Sequence, residues 1–324
     1  EAATILYQEN FDAGDSALRW ISYQSQGDAA VDYAYDYGTD LGIPAAPNSV
    51  AGSTTGMRFL VNQSAGVMQG ISASPLDQHF TGDFIIRFDL WINFVGPFPA
   101  GGNGSTQMAS FGWGTTGGGP EPSLVQWAGG KHSIVFAASG DGGTTQDYRG
   151  YVRAYESSAG ATLSPDTGYY AAGTGTTMAA DSRNANDPYY AQFGSKVAPE
   201  AQVTKFAAAE FPSNQTGTTA PGTLGMAWHD VVIEKSGELI TWKVDDLLMM
   251  SVPLVREDGT PANLSGDNVF FGMFDINNAS SNDPNDHLNA AIFDNIVVSV
   301  PEPGSLTLVG AVALTGMLAR RRRS

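Results

Sequence analysis

The sequence predicts an all-β protein, an antiparallel two-sheet sandwich with a long loop insertion and a C-terminal hydrophobic helix. Three observations predict it. Residues 83–94 alternate: Phe84, Ile86, Phe88, Leu90, Ile92 and Phe94 share one face, and Ile85, Arg87, Asp89, Trp91 and Asn93 share the other. That period of two buries one face of a strand and leaves the other mostly in water, whereas a helix would scatter the six apolar residues. Residues 226–252 read as three alternating runs parted by Ser236-Gly237 and Asp245-Asp246, which is the signal of a hairpin meander. The 39 glycines and a charged fraction of only 15% suit many turns and few helices.

Taken in chain order, residues 4–12 read as a strand ending in a polar turn, and Trp20 follows in Leu18-Arg19-Trp20-Ile21. Residues 24–56 are rich in Gly, Ala, Pro, Ser and Asp and read as loop with one strand at 30–35; residues 57–61 make another short strand. Gly96-Pro97 stops the long strand, and 107–113 and 133–138 are further strands parted by a Gly-rich loop at 114–119. From about 139 to 222 the texture changes to Gly, Ala, Thr, Ser and Asn, with recurring Tyr148, Tyr151, Tyr155, Tyr169, Tyr170, Tyr189 and Tyr190. A structureless loop of that length is unusual in a compact domain, so it reads as a functional insertion with a short helix near 201–210. Strands at 226–235, 238–244, 247–252, 269–274 and 290–299 follow, with a polar loop at 275–289. The organisation expected is one sandwich over residues 1–299 and a separate segment over 300–324.

Composition bounds the function classes. A 324-residue chain with 42% hydrophobic residues buries a large core. The net charge is −17, and without the last four arginines 12 cations face 33 acids. Nucleic acid and anionic membrane surfaces, which need a basic face, are therefore poor general partners. With no cysteine, disulfides, thiolate metal sites and cysteine nucleophiles are excluded. The chain opens at Glu1-Ala2-Ala3, which reads as the product of a trimmed leader.

The tail has three parts in order: Pro301-Glu302-Pro303, an uncharged apolar run over 305–319, and Arg320, Arg321, Arg322 and Arg323. The prolines make the first part stiff and extended. As a helix the apolar run would span about 22 Å at ~1.5 Å per residue, short of a ~30 Å hydrocarbon core but extended by arginine snorkelling. A basic block holds its end on the cytoplasmic side. This order resembles the PEP-CTERM sorting signal of Gram-negative bacteria. The resemblance covers less than a tenth of the chain and implies export, recognition by an exosortase-type processing enzyme, and transient anchoring in the inner membrane. It also implies a final place at the cell surface, the outer membrane or an extracellular matrix.

A second resemblance rests on Trp228-His229-Asp230-Val231-Val232-Ile233-Glu234, Gly237, Trp242-Lys243-Val244-Asp245 and the closing Phe293-Asp294-Asn295-Ile296-Val297-Val298. These runs are similar to the meander and last strand of concanavalin A-like (laminin-G-like) jelly rolls. That superfamily holds lectins, glucanases and purely structural modules, so the fold it implies does not settle an activity.

Candidate sites follow. Glu9, Asp12 and Asp294 are a candidate set for a structural Ca2+ fastening both ends of the sandwich, since a hard cation wants several oxygens. Carbohydrate-binding jelly rolls resemble this in having an acid after an N-terminal Asn-Phe and an Asp in the last strand; turn caps are the alternative. Asp275, Asn277, Asn278, Asp283, Asn285 and Asp286 form an oxygen-rich loop that lacks EF-hand spacing and reads as a solvated loop. Arg149, Tyr151, Arg153 and Tyr155 would share one face of a strand. Such a face offers tyrosine platforms to a polysaccharide and guanidinium groups to its carboxylates or sulfates, with ion pairing to local aspartates as the alternative. No Glu-x-Asp-x-x-Glu run, Gly-x-Ser-x-Gly elbow or histidine zinc pattern occurs. His229 alternates with Val231 and Ile233, which suits a hydrogen-bonded half-buried residue better than a base. The expected function is a non-catalytic exported protein that binds polysaccharide. A purely structural, self-associating matrix protein and a divergent glycoside hydrolase are the alternatives.

Overall fold

The computed structural model describes residues 3–24, 27–63, 69–99, 107–116, 133–141, 147–152, 169–170, 182–207, 214–255, 258–259, 261–262, 264–275 and 286–300. Its strands form two sheets, and each pairing between them is antiparallel. In chain order they are β1 (Thr4–Glu9), β2 (Trp20–Gln24), β3 (Ala29–Asp36), β4 (Thr55–Val61), β5 (Gln69–Pro75) and β6 (Phe84–Asn93). Next come β7 (Gln107–Thr115), β8 (Ile134–Ala138), β9 (Tyr148–Val152), β10 (Tyr169–Tyr170) and β11 (Ser182–Arg183). The last five are β12 (Trp228–Ser236), β13 (Leu239–Val244), β14 (Leu247–Pro253), β15 (Asn268–Asp275) and β16 (Ala290–Val300). A nine-stranded sheet runs β10-β14-β13-β12-β6-β16-β4-β3, with β1 continuing the line of β4 along β16; the seven-stranded sheet runs β11-β9-β8-β7-β15-β5-β2.

The alternation of β6 does what its pattern predicts on the inner face. Phe88 meets Phe111 of β7 and Phe271 of β15 edge-on at 5.1 Å, and Phe293 of β16 at 5.6 Å, so one ring links four strands and both sheets. The predicted meander is β12, β13 and β14. Its second turn places Asp245 and Asp246 at φ 47° and 65°, the left-handed pair that a two-residue hairpin demands and that Asp tolerates.

Three features differ from the sequence reading. β5 is a full strand that its small residues (Gln-Gly-Ile-Ser-Ala-Ser-Pro) do not announce. The stretch read as a loop insertion adds β9 and β11 to one sheet and β10 to the other, and its Tyr148 and Tyr190 lie fully buried in the main core. The connection after β3 opens with a helical turn, α1 (Tyr37–Leu41), capped by Asp36 through the Thr39 N–H at 2.9 Å. Gly42 closes α1 at φ 66°, where a Cβ would also lie 2.6 Å from the backbone of Gln202. Gln202 belongs to α2 (Glu200–Lys205), the helix expected at 201–210.

From Gly42 the chain crosses the outer face of the nine-stranded sheet before entering β4; residues 42–54 are called the strap below. Tyr37, Leu41 and Ile43 pack with Trp91 and Ile292 of the sheet and with Phe206 beyond α2. Half of β6 is therefore buried on both faces. The predicted hydrophobic helix at 305–319 lies outside the described residues. Among the described residues no helix is long and apolar enough to cross a membrane.

Phe88→Ala removes the ring shared by four strands and leaves a cavity. It should lower unfolding free energy by roughly 3–5 kcal/mol, read as a shift of the urea midpoint with an unchanged denaturant slope.

Candidate functional site

Two regions bring chemistry-bearing side chains together. The first is on the outer face of the nine-stranded sheet. Asp89 of β6 pairs with Asp294 of β16 on one side and with Asp230 of β12 on the other. Asp230 takes both nitrogens of the Arg87 fork, at 2.6 and 2.9 Å. Asp89 and Asp294 are 0% and 1% exposed, because the strap lies over them. Asn48 donates to Asp89 from its side chain at 2.9 Å and its backbone at 3.2 Å. Ser49 and Tyr37 each donate to Asp294 at 3.0 Å. A register shift after Asp294 leaves Asn295 at φ 52°, and this bulge turns its amide onto the same face. Asn295 then gives its N–H to Asp294 at 2.7 Å and its side-chain amide to Asp89 at 2.8 Å.

Burial pushes the Asp294 carboxyl up to about 7, and the neighbouring Asp89 charge adds to this, against the hydrogen bonds from Tyr37, Asn295 and Ser49 that pull it down. Asp89 is raised for the same first reason, with Asn295 and Asn48 opposing. Donors satisfy the oxygens, but they do not repay the loss of water around two adjacent charges.

The second region is the end of the sandwich where β6 and β8 finish and β7 and β16 begin. Asn93, Gln107, Asp141 and Asn289 line a small recess there with Ile92, Phe94, Gly140 and Met273, with room for about one water-sized group. All four polar residues are buried, at most 6% exposed. Gln107 gives its amide N–H to Val61 O at 3.2 Å, while among the described residues its buried Oε1 has no hydrogen-bond partner. Asn93 is fixed by Trp91, Leu288 and Gln202, at 3.1, 2.8 and 2.9 Å. Asp147, just across the β8–β9 connection, accepts from Ser139 at 2.7 Å and from the Ala185 N–H at 2.8 Å. The rim is thus built from fixed polar groups with apolar surface between them, an arrangement suited to a hydroxyl-bearing ligand.

The sequence-predicted sites fare differently. Glu9, Asp12 and Asp294 do not form one cation site. Glu9 points between the sheets, where it accepts from Arg19 at 2.8 Å, Trp20 at 3.3 Å and the Phe11 N–H at 3.0 Å. Asp12 is exposed and bonds Asn10 and Ser53. Asp294 lies on the opposite face of the sheet under the strap. Among the described residues no group of three or more His, Cys, Asp or Glu is placed to hold a metal.

Arg149 lies on β9 and is 2% exposed, and Tyr151 follows two residues on in the same strand, paired with Val135; Arg153 and Tyr155 lie outside the described residues. So do 276–285 of the acidic loop, Pro301, Glu302, Pro303 and the four tail arginines. His229 is hydrogen-bonded as expected, with Nδ1 2.7 Å from Asp245, but at 2% exposed it is buried outright rather than half-buried. Sequence reasoning missed Tyr37, Asn48, Ser49 and Asn295 at the carboxylates, and Gln107, Asp141 and Asn289 at the recess. Asn295 alone carried a signal, standing beside Asp294 in the last-strand motif.

No known family model matches the chain, and no characterised protein sequence matches it. Among solved structures it is similar to a Bacillus subtilis protein of unknown function with a galectin-like fold (TM-score 0.48, 8% identity, 93% of this chain and 99% of that one). It is also similar to a Bacillus subtilis carbohydrate-binding module (TM-score 0.35, 10% identity, 86% and 94%) and to a Bacillus licheniformis β-glucanase (TM-score 0.38, 10% identity, 93% and 99%). At these scores the likenesses assign neither ligand nor reaction to this chain.

Two outcomes follow from the carboxylates. Glu9→Ala strips Arg19, Trp20 and the Phe11 N–H of their acceptor; unfolding free energy should fall by about 2–3 kcal/mol, equally with and without a chelator in the melt. Asp294 binds its proton more tightly folded than unfolded, so its share of stability is complete below about pH 4 and lost as pH rises through about 7. Melting temperature should fall from about pH 5 to pH 8, by the equivalent of roughly 3 kcal/mol at most, and Asp294→Asn should flatten most of that slope.

Proposed function

We propose that the protein is an exported, non-catalytic cell-surface or extracellular-matrix protein that binds polysaccharide at the recessed end of the sandwich and is sorted by its PEP-CTERM tail. The observation that carries the binding half is the orphaned Gln107 Oε1 beside Asp141 in the recess. A buried carbonyl without a donor costs about 1–3 kcal/mol unless a ligand or water supplies one. A sugar hydroxyl is such a donor, and the recess takes one hydroxyl while the rest of a chain lies over Phe94 and its neighbours. The acidic body, with 33 Asp and Glu, suits neutral glycans better than acidic ones.

The export half rests on the sequence from Val300 onward, which implies a Gram-negative source, an exosortase-type partner and transient contact with the inner membrane. A structural Ca2+ elsewhere in the chain would join this reading only if binding or melting responded to it.

The absence of hydrolysis in this reading is supported by access. Asp89 and Asp294, though side by side, are covered while the strap is seated, where no glycosidic oxygen reaches them. Glu234 is engaged with Lys243 at 3.6 Å.

A second reading, a self-associating structural matrix protein without a sugar site, has its own support. Ile5 and Leu6 are 55% and 44% exposed on β1, whose pairing among the described residues is with β16 alone. Residues 4–8 carry no charge, so this edge offers a second copy an unguarded template.

A glycan array probed with and without Ca2+ separates the two. Binding to a defined set of glycans, weakened about tenfold or more by Asp141→Ala (~1.4 kcal/mol or more) with an unchanged melt, is expected. A uniformly blank array from folded protein, together with concentration-dependent dimers, overturns the binding reading in favour of the structural one. For sorting, alanines in place of Pro301, Glu302 and Pro303 should leave the chain in the inner membrane of a host with the processing enzyme, while the parent reaches the surface; equal surface delivery of both removes the tail from the account.

A further inference from the structure

Neutral groups alone seat the strap on its two carboxylates: Asn48, Ser49, Asn295 and Tyr37. Among the described residues neither Asp89 nor Asp294 has an ion-pair partner. The charged groups on the elements around them do not change this. Arg87 of β6 is committed to Asp230 of β12. The β13–β14 turn contributes more acid, Asp245 bonding the Asp230 N–H and Asp246 acting on Arg87. Asp12 after β1 holds Ser53 at the strap's end, and Asp36 caps α1 at its start. Arg58 of β4 lies over the Tyr35 ring, 3.7 Å from its centre. Among the described residues the cations on these elements are thus Arg87, which feels the Asp89 charge but spends its hydrogen bonds on Asp230, and Arg58, which lies over Tyr35, so a second charge on the pair is offset only in part.

We infer that the strap is an acid-held cover: one proton retained between Asp89 and Asp294 keeps it seated on the outer face of the nine-stranded sheet, and loss of that proton lifts it. Seated, it closes over the pair and takes the Trp228 indole N–H at Pro44 O, 2.7 Å away. Lifted, it opens a row of three carboxylates on adjacent strands, Asp230, Asp89 and Asp294, flanked by the Trp228 ring. The direction follows from proton affinity. The covered carboxyl keeps its proton up to about pH 7, because burial disfavours its charge, whereas an uncovered one releases it near pH 4. Acid therefore seats the strap, its advantage declines as pH rises between those two values, and above pH 7 the strap opens most readily, with only its hydrogen bonds opposing the lift.

Hydrogen exchange tests this, with rates corrected for the intrinsic effect of pH. The reporters are the Ala46 and Asn48 N–H groups, which bond Tyr37 Oη and Asp89 at 3.2 Å each. Their opening equilibrium should rise about fifty-fold from pH 5 to pH 7, while β6 amides change far less. Asp294→Asn should make the strap's protection independent of pH, with Asp89→Asn as a second variant that removes the same excess charge. Ser49→Ala should lower protection at every pH and keep the slope. Protection that stays flat in the parent protein, a slope that survives both Asn variants, or strap and β6 amides opening together would each overturn the inference.

Discussion

The structure depends on β6 being buried on both faces over its second half. One face is satisfied by apolar side chains alone: Phe84, Ile86, Phe88, Leu90 and Ile92 are each at most 3% exposed in the core between the sheets. The other face cannot be, because Asp89 stands in it and is joined by Asp294 from the next strand. A carboxylate denied water must find donors or keep its proton. The strap supplies the donors, and so a segment with the texture of a surface loop becomes part of the packed body. Trp91 and Ile292, at the same level, supply the apolar surface on which α1 and the strap rest. Fixing the outer layer in place and burying two acids are one event.

Much of this architecture is legible in the residues. The alternation of β6, the β12–β14 meander and β16 appear within a residue or two of where the sequence puts them, because one face of each is continuously apolar and period two needs nothing more. β5 fails that test: Ile71 and Ala73 are its only inward apolar groups in the core, and serine and glycine between them say nothing about a strand. β9, β10 and β11 are short and set in Gly- and Thr-rich text, so their pairing is decided by the sheets they join rather than by their own composition. Tyr148 shows the cost of reading residue type alone. As one of seven recurring tyrosines it reads as part of a loop insertion, yet it is wholly buried in the main core, 4.5 Å from the Tyr190 ring.

Sites were less legible than strands, for a physical reason. Period two states which face of a strand a side chain takes, but not whether that face is covered. Asp89 therefore reads as a solvent-facing partner of Phe88, although the strap hides it. Glu9, Asp12 and Asp294 read as neighbours because their strands are, yet Glu9 faces inward to Arg19 and Trp20 while Asp294 faces outward. One register shift at Asn295 decides the orientation of the last strand's polar groups, and no composition rule foretells it. The recess is harder still, because Gln107 at the start of β7, Asp141 after β8 and Asn289 before β16 are far apart in sequence and only the closed sandwich brings them together.

β16 ties the two halves of the proposed role to one axis. It begins at Ala290, beside the recess residue Asn289, and ends at Val300, still paired with Thr4. Pro301 follows at once, and proline has no N–H to extend the ladder. The proposed sorting segment therefore follows the last strand in sequence with no spacer between them. The 11 residues of β16 span about 36 Å at ~3.3 Å each, so the recess and Val300 lie at opposite ends of that strand. A domain held by such a tail turns its recess away from the holding surface, whichever membrane that is, and presents it to whatever polymer lies outside. A ligand site on the β1 edge would instead sit beside the tail, crowded by that surface. If the protein binds a surface polysaccharide while tethered, the far end of β16 is where that contact can form without steric conflict.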